Sequence, residues 1–173
     1  MRIASAAANL VQEGQCVPLD SSTTTTAIAR ALKRFSHLTI ITNAVNIAGE
    51  LASTDFEVFL AGGLLRKNSL SLVGPLTEDM LHEMHANILF LGVDSFDLEA
   101  GLTIPDVMKS RINRVMVKAS SLVVVGCDSS KFNRRSLSKI VDASSIHHVI
   151  TDGGLPSETA DALRSAGIRL TLV

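Results

Sequence analysis

An α/β fold, with a mostly parallel sheet and helices on both faces, is what this sequence predicts, and three observations lead to it. Apolar runs of three to six residues alternate with longer amphipathic stretches almost from end to end, the rhythm of βαβ units. Hydrophobic residues make up 46% of the chain and are mostly Ala, Val, Ile and Leu, with 3% aromatics and no Trp or Tyr; strands buried on both faces of a parallel sheet take that aliphatic composition. The breaks at Gly62-Gly63, Gly101 and Gly153-Gly154 are short turns rather than linkers.

Taken in order, Ile3 to Leu10 is alanine-rich and reads as the end of a helix. Cys16 to Leu19 is a short apolar run, and Thr24 to Phe35 is helical. Leu38 to Ile41 is a strand, Ala44 to Ala52 a helix, and Phe56 to Leu60 a strand again. Gly74 to Met84 is helical, and Ile88 to Val93 is a strong buried strand. Asp106 to Ala119 is a helix, Leu122 to Val125 and His148 to Ile150 are strands, and the helix Ser157 to Ala166 and strand Ile168 to Val173 close the chain. There is no internal repeat or low-complexity tract, so residues 1–173 are expected to form one domain.

Charge and composition narrow the function. The formal net charge is −1, from 16 basic and 17 acidic residues, whereas a DNA-binding domain carries a basic excess to neutralise phosphates. The scarcity of aromatics argues against base stacking. Cys16 and Cys127 each sit in an apolar, strand-like run and are expected to be buried, reduced thiols. No Cys/His cluster suggests a metal, the five histidines lack ligand companions, and no cofactor motif is present. The absence of a signal peptide or a membrane-length apolar run points to the cytoplasm and to no membrane partner.

In open α/β sheets, ligands bind beyond the carboxyl ends of the strands, so the residues after each apolar run carry the argument. After Leu19 comes Asp20-Ser21-Ser22-Thr23-Thr24-Thr25-Thr26, leading into a helix. Six hydroxyls at a helix N-terminus supply side-chain donors and free amides where the dipole favours an anion; one or two would suffice as a cap. Thr42-Asn43 ends the second strand. Gly62-Gly63 follows the third, either for close approach to a ligand or as a plain turn, and Arg66 beyond it is expected in solvent. Asp94 and Asp97 follow the run Ile88 to Val93; Asp94 is the candidate for sugar hydroxyls or for acid/base work, and Asp97 is expected at the surface. Asp128 and Lys131 follow Cys127, the lysine as a point charge against phosphate. Lys109, Arg111 and Arg114 lie on a helix and read as a solvated or subunit-facing surface, with contact of Lys109 or Arg111 with ligand as the lesser alternative.

In this order the motifs resemble the C-terminal effector-sensing domain of the DeoR family of transcriptional repressors. The pieces run from Leu19-Asp20-Ser21-Ser22-Thr23-Thr24 through Thr42-Asn43, Gly62-Gly63-Leu64-Leu65-Arg66, Gly92-Val93-Asp94 and Gly101-Leu102-Thr103 to Asp128-Ser129-Ser130-Lys131-Phe132. Gly92 to Arg135 looks most like the aga operon repressors, tied to amino-sugar metabolism. The resemblance implies the fold shared by ribose-5-phosphate isomerase, glucosamine-6-phosphate deaminase and CoA transferases. It also implies a phosphorylated sugar effector on Ser21 to Thr25 and Lys131, acidic rim positions at Asp20, Asp94 and Asp128, and a homo-oligomer, dimer or tetramer. DNA would be read only by an N-terminal winged helix-turn-helix, and this chain is expected to lack it. A sugar-phosphate isomerase or amino-sugar-phosphate deaminase is the alternative. Against it, the isomerases' lysine has no counterpart here, and their glutamate base is replaced at best by Asp106.

Overall fold

The structure, a computed structural model, describes residues 2–173. Its frame is a seven-stranded sheet in the order β12-β11-β9-β6-β1-β2-β3, with every neighbouring pair parallel. The strands are β1 (Cys16–Leu19), β2 (Thr39–Thr42), β3 (Glu57–Leu60), β6 (Ala86–Leu91), β9 (Ser120–Gly126), β11 (His148–Thr151) and β12 (Arg169–Leu172).

Successive side chains in a strand point to opposite faces, and the interior strands are apolar on both. In β6, Ile88 and Phe90 join one core while Leu89 and Leu91 join the other. The first core is closed by α1 (Arg2–Ala8), α2 (Thr23–Leu32) and α3 (Val45–Leu51), through Ala7, Ile28, Leu32 and Ile47. The second is closed by α4 (Pro75–His82), α5 (Val107–Lys118) and α6 (Ser157–Ser165), through Leu81, Ile112, Met116 and Leu163. Full burial of each such Leu or Ile contributes about 1.5–3 kcal/mol before entropy is charged against it.

Two small antiparallel sheets were not anticipated. The hairpin β4 (Leu64–Arg66) and β5 (Ser71–Val73) follows the edge strand β3. A three-stranded sheet joins β7 (Ser95–Asp97), β8 (Gly101–Ile104) and β10 (Ser138–Val141) in the order β10-β8-β7. The other elements fall within a few residues of expectation. One shift matters: the strand read as Ile88 to Val93 stops at Leu91, releasing Gly92 and Val93 into the following loop.

The strand order locates the crevice. From β1 the chain moves outward to β2 and β3; from β6 it moves the other way, to β9, β11 and β12. The loops leaving β1 and β6 therefore diverge, and a cleft opens between them at the carboxyl ends of the strands.

Candidate functional site

A cleft of about 440 Å³ lies at this divergence, walled by the loops after β1, β6 and β9. Ser21, Ser22, Thr23, Thr24 and Thr26 come from the first, Gly92, Val93 and Asp94 from the second, and Cys127, Asp128 and Lys131 from the third. These side chains cannot meet without the parallel sheet: β1 and β6 are neighbours in space but separated in sequence by the whole β2–β5 excursion.

The start of α2 is built so that two amides are left over. The first four N–H groups of a helix have no partner within it. Ser22 is the N-cap; its hydroxyl accepts from the Thr25 amide at 3.1 Å, and its own amide donates to the Thr25 hydroxyl at 3.1 Å. That reciprocal box uses the first and fourth groups and leaves the amides of Thr23 and Thr24 at the positive end of the helix dipole. Gly92 is required for the approach, because a Cβ there would overlap the Ser22 side chain.

Beneath this loop lies Asp20, fully buried. One carboxylate oxygen accepts from the Gly92 amide at 3.1 Å and from the Thr25 hydroxyl at 2.9 Å, pinning the β1 loop to the β6 loop. The other has no hydrogen-bond partner and faces the Lys109 ammonium at 3.8 Å. Lys109 reaches in from the first turn of α5, which Asp106 caps through the Lys109 amide, and it also donates to the Ser21 carbonyl at 3.3 Å.

On the third wall, Asp128 caps the short 3-10 turn Ser129–Lys131 by accepting from the Ser130 amide. Asp152, after β11, anchors the turn by accepting from the Ser129 amide at 2.7 Å, the Gly154 amide at 2.8 Å and the Ser129 hydroxyl at 2.9 Å. Those donors hold its carboxyl below the usual range, the Ser129 amide first. Lys131 has no ion-pair partner among the described residues. Burial, with the Asp128 carboxylate adding to it, pushes the Cys127 thiol up to about 12, so it stays protonated and unreactive at neutral pH.

Several expected residues lie elsewhere. Asp20 and Thr25 sit behind the wall rather than on it: both are fully buried, and the Thr25 hydroxyl and one Asp20 carboxylate oxygen hold the wall in place. Thr42 and Asn43 are buried in packing roles: the Thr42 hydroxyl donates to the Leu19 carbonyl at 2.8 Å, and the Asn43 amide group to the Leu72 carbonyl at 2.9 Å. Gly62 and Gly63 do not face the cleft either. The close approach there is internal, since a Cβ on Gly63 (φ 143°) would overlap Thr77 and the Val73 carbonyl. Arg66 is not free in solvent but pairs with Asp106 at 2.8 Å.

Other residues complete the wall: Lys109, which the sequence offers only as a lesser candidate, and Asn46, Asn68, Ser69 and Leu70, which it does not single out. Lys109 departs from a surface reading of its helix face, whereas its neighbours Arg111 and Arg114 are exposed as expected, Arg111 pairing with Glu78 at 3.2 Å and Arg114 donating to the Ile140 carbonyl at 3.0 Å. Asn46 enters from α3, its amide group donating to the Thr26 hydroxyl at 3.0 Å. Asn68, Ser69 and Leu70 enter from the turn of the β4–β5 hairpin. Among the described residues, no group of three or more His, Cys, Asp or Glu is placed to hold a metal ion, and no helix is long and apolar enough to cross a membrane.

Comparison with known proteins agrees with this fold. The fold is similar to ribose 5-phosphate isomerase A from Methanocaldococcus jannaschii (TM-score 0.54, 16% identity, 75% of this chain and 52% of that one). It is also similar to a chain of the tetrameric eIF2B-beta2-delta2 complex from C. thermophilum (TM-score 0.53, 20% identity, 79% and 42%). At such identities the likeness is one of fold alone. In sequence, the chain is 41% identical over 172 residues to a putative aga operon transcriptional repressor of Escherichia coli O157:H7, covering 99% of this chain and 64% of that protein. It is 37% identical to the HTH-type transcriptional regulator GlpR of Haloferax volcanii (96% and 65%) and 31% identical to the glycerol-3-phosphate regulon repressor of Escherichia coli K12 (99% and 68%). The chain thus spans about two thirds of the length of the curated relatives it matches. Residues 1–153 match the model of the DeoR C terminal sensor domain, and the chain belongs to that family.

Proposed function

We propose that this chain is the sensing domain of a transcriptional repressor of carbohydrate metabolism, and that its cleft takes a phosphorylated sugar of the amino-sugar class. The observation that carries the reading is the pair of uncommitted amides at Thr23 and Thr24, facing the same cleft as the ammonium groups of Lys131 and Lys109. A helix N-terminus with lysines beside it is a site for phosphate. The exposed carboxylates of Asp94 and Asp128 at the rim accept hydrogen bonds from sugar hydroxyls or an amine. The cleft volume is within the range of small-molecule sites.

In this reading the domain has no catalytic residue and needs no cofactor or metal. It works in the cytoplasm as part of a homo-oligomer, whose DNA contacts belong to a helix-turn-helix outside this chain. Binding shifts the population between two arrangements of that oligomer and so changes its affinity for an operator. The isomerase or deaminase alternative has less to stand on. Asp106, the residue nearest in position to the isomerases' base, is committed to capping α5 and pairing with Arg66.

The test is a thermal-shift screen of phosphorylated sugars against their unphosphorylated parents. A ligand at about 100 times its dissociation constant stabilises the fold by about 2.7 kcal/mol. Stabilisation by a phosphosugar and not by its parent supports the reading; no shift with any phosphosugar overturns it.

A further inference from the structure

Two walls of the cleft are not carried on the carboxyl ends of the parallel strands. One is the turn of the β4–β5 hairpin, with Asn68, Ser69 and Leu70; the other is the first turn of α5, with Lys109. The two strands of the hairpin are attached unequally. On the β5 side, the Leu70 carbonyl accepts from the Val45 amide at 2.8 Å, and the Leu72 amide donates to the Asn43 carbonyl at 2.7 Å. β4 pairs only with β5, and its Leu64 and Leu65 are exposed. Among the described residues, one ion pair carries residues 64–69 beyond the hairpin: Arg66 meets Asp106 at 2.8 Å.

Asp106 uses its other oxygen to accept from the Lys109 amide at 3.0 Å. Arg66 stands two residues before Asn68, and Asp106 three before Lys109. The pair therefore joins the two outlying walls, although neither of its members lines the cleft. It is also partly shielded, with side chains 31% and 24% exposed against 54% and 75% for Arg164 and Asp161, so salt screens it less. Leu70, at φ 48°, holds a left-handed conformation that side chains rarely adopt. The shape of the turn is thus imposed by its attachments.

We propose that Arg66 is a positioning residue for the effector: through Asp106 it fixes the hairpin turn against the Lys109 ammonium, and so sets the width of the cleft. The proposal rests on the reading of the cleft as a phosphate site. The pair itself touches no ligand. Once it is broken, the two walls move independently, and binding has to bring them together again at a cost in ordering. Charge alone and the clasp predict opposite signs at Asp106. Asp106→Asn keeps a capping oxygen for the Lys109 amide but removes the ion pair, and it also removes a negative charge near a site for an anion. By charge alone phosphate binds more tightly; by loss of the clasp it binds more weakly.

The experiment is an NMR titration of the 173-residue chain with inorganic phosphate at constant ionic strength, joined to hydrogen exchange of the unliganded protein. Arg66→Met and Asp106→Asn should each weaken phosphate binding about fivefold, the weight of a partly exposed ion pair, and the double variant should lose no more than either alone. Arg66→Lys should recover part of the loss. Lys67→Met, which removes an exposed cation next door with no ion-pair partner among the described residues, should change the affinity by less than about twofold because its charge is screened. In unliganded Arg66→Met the amides of Ser69 and Lys109 should exchange faster together, whereas a brace confined to the hairpin would quicken Ser69 alone. Unchanged or tighter phosphate binding in Asp106→Asn, or unchanged exchange at Lys109 in Arg66→Met, overturns the proposal. A wild type with no saturable response to phosphate overturns the phosphate reading of the cleft instead, and the exchange rates then decide the clasp by themselves.

Discussion

The Lys109 ammonium stands 3.8 Å from the inner oxygen of Asp20, a carboxylate with no solvent exposure, and ties α5 to the loop where β1 ends. The carboxylate's other oxygen holds Gly92 and Thr25, so one side chain ties α2, α5 and the β6 loop together beneath the cleft. Removing one partner of a buried charge pair strands the other. Asp20→Ala is expected to cost about 3 kcal/mol or more, read as a lower urea midpoint at unchanged slope. Asp20→Asn should cost less, because its side-chain oxygen still accepts from Gly92.

The hydroxyl run divides into structural and ligand-facing members, and substitution should separate them. Ser22→Ala removes the capping box and should cost about 1 kcal/mol without ligand. Thr24→Ala and Lys131→Ala should change unliganded stability by no more than about 0.5 kcal/mol. They should nevertheless abolish most of the thermal shift given by a phosphosugar. Full retention of that shift in Lys131→Ala would remove the lysine from the site.

Cys127 lines the cleft but should not react. With its thiol pushed up to about 12, labelling by a disulfide reagent at pH 8 should be far slower than for a free thiol and should track global unfolding. Cys16, half-buried and also raised by burial, should label faster than Cys127 but more slowly than a free cysteine. Rapid modification of Cys127 in folded protein would show the wall opening locally.

Stability should decline in acid in two stages. Burial, with the charge of Arg169 adding to it, lowers the His148 pKa from its ordinary 6.5, so the unfolded chain binds the proton more readily than the folded one. This contribution is fully present above about pH 6.5 and is lost as pH falls toward the folded value. Asp152 is likewise lowered, and its contribution is present above the ordinary carboxylate value near 3.8 and is lost as pH falls through its folded value. Melting temperature measured from pH 7.5 to 3 should show both. His148→Gln, which keeps a polar partner for Thr171 at that position, should flatten the upper stage.

The parallel sheet and its helices were legible because its central strands, such as β6 and β9, carry continuous aliphatic runs and the helices between them an apolar stripe. The small antiparallel strands were not. Leu64–Arg66, Ser71–Val73 and Ser95–Asp97 are three residues each, too short to display a period, and their pairing is set by tertiary context. The cleft was partly legible for a related reason. Residues that follow an apolar run, such as Thr24, Asp94 and Lys131, announce their end of the sheet. Lys109 announces only a helix face, and which neighbour that face meets depends on the strand order. Thr42 and Asn43 sit at the correct end too, but their side chains turn to β1 and β5, a choice local pattern does not encode.

The bond from Asp20 to the Gly92 amide joins residues 72 positions apart. A contact of such separation forms late, after loop-closure entropy has been overcome. During synthesis, the β1 loop emerges with its hydroxyls and its carboxylate well before Gly92 exists to receive them. The cleft consequently has no partial version on the ribosome: until β6 docks beside β1 there is no recess to occupy. A small molecule that binds there acts on the completed fold and leaves the earliest folding events untouched.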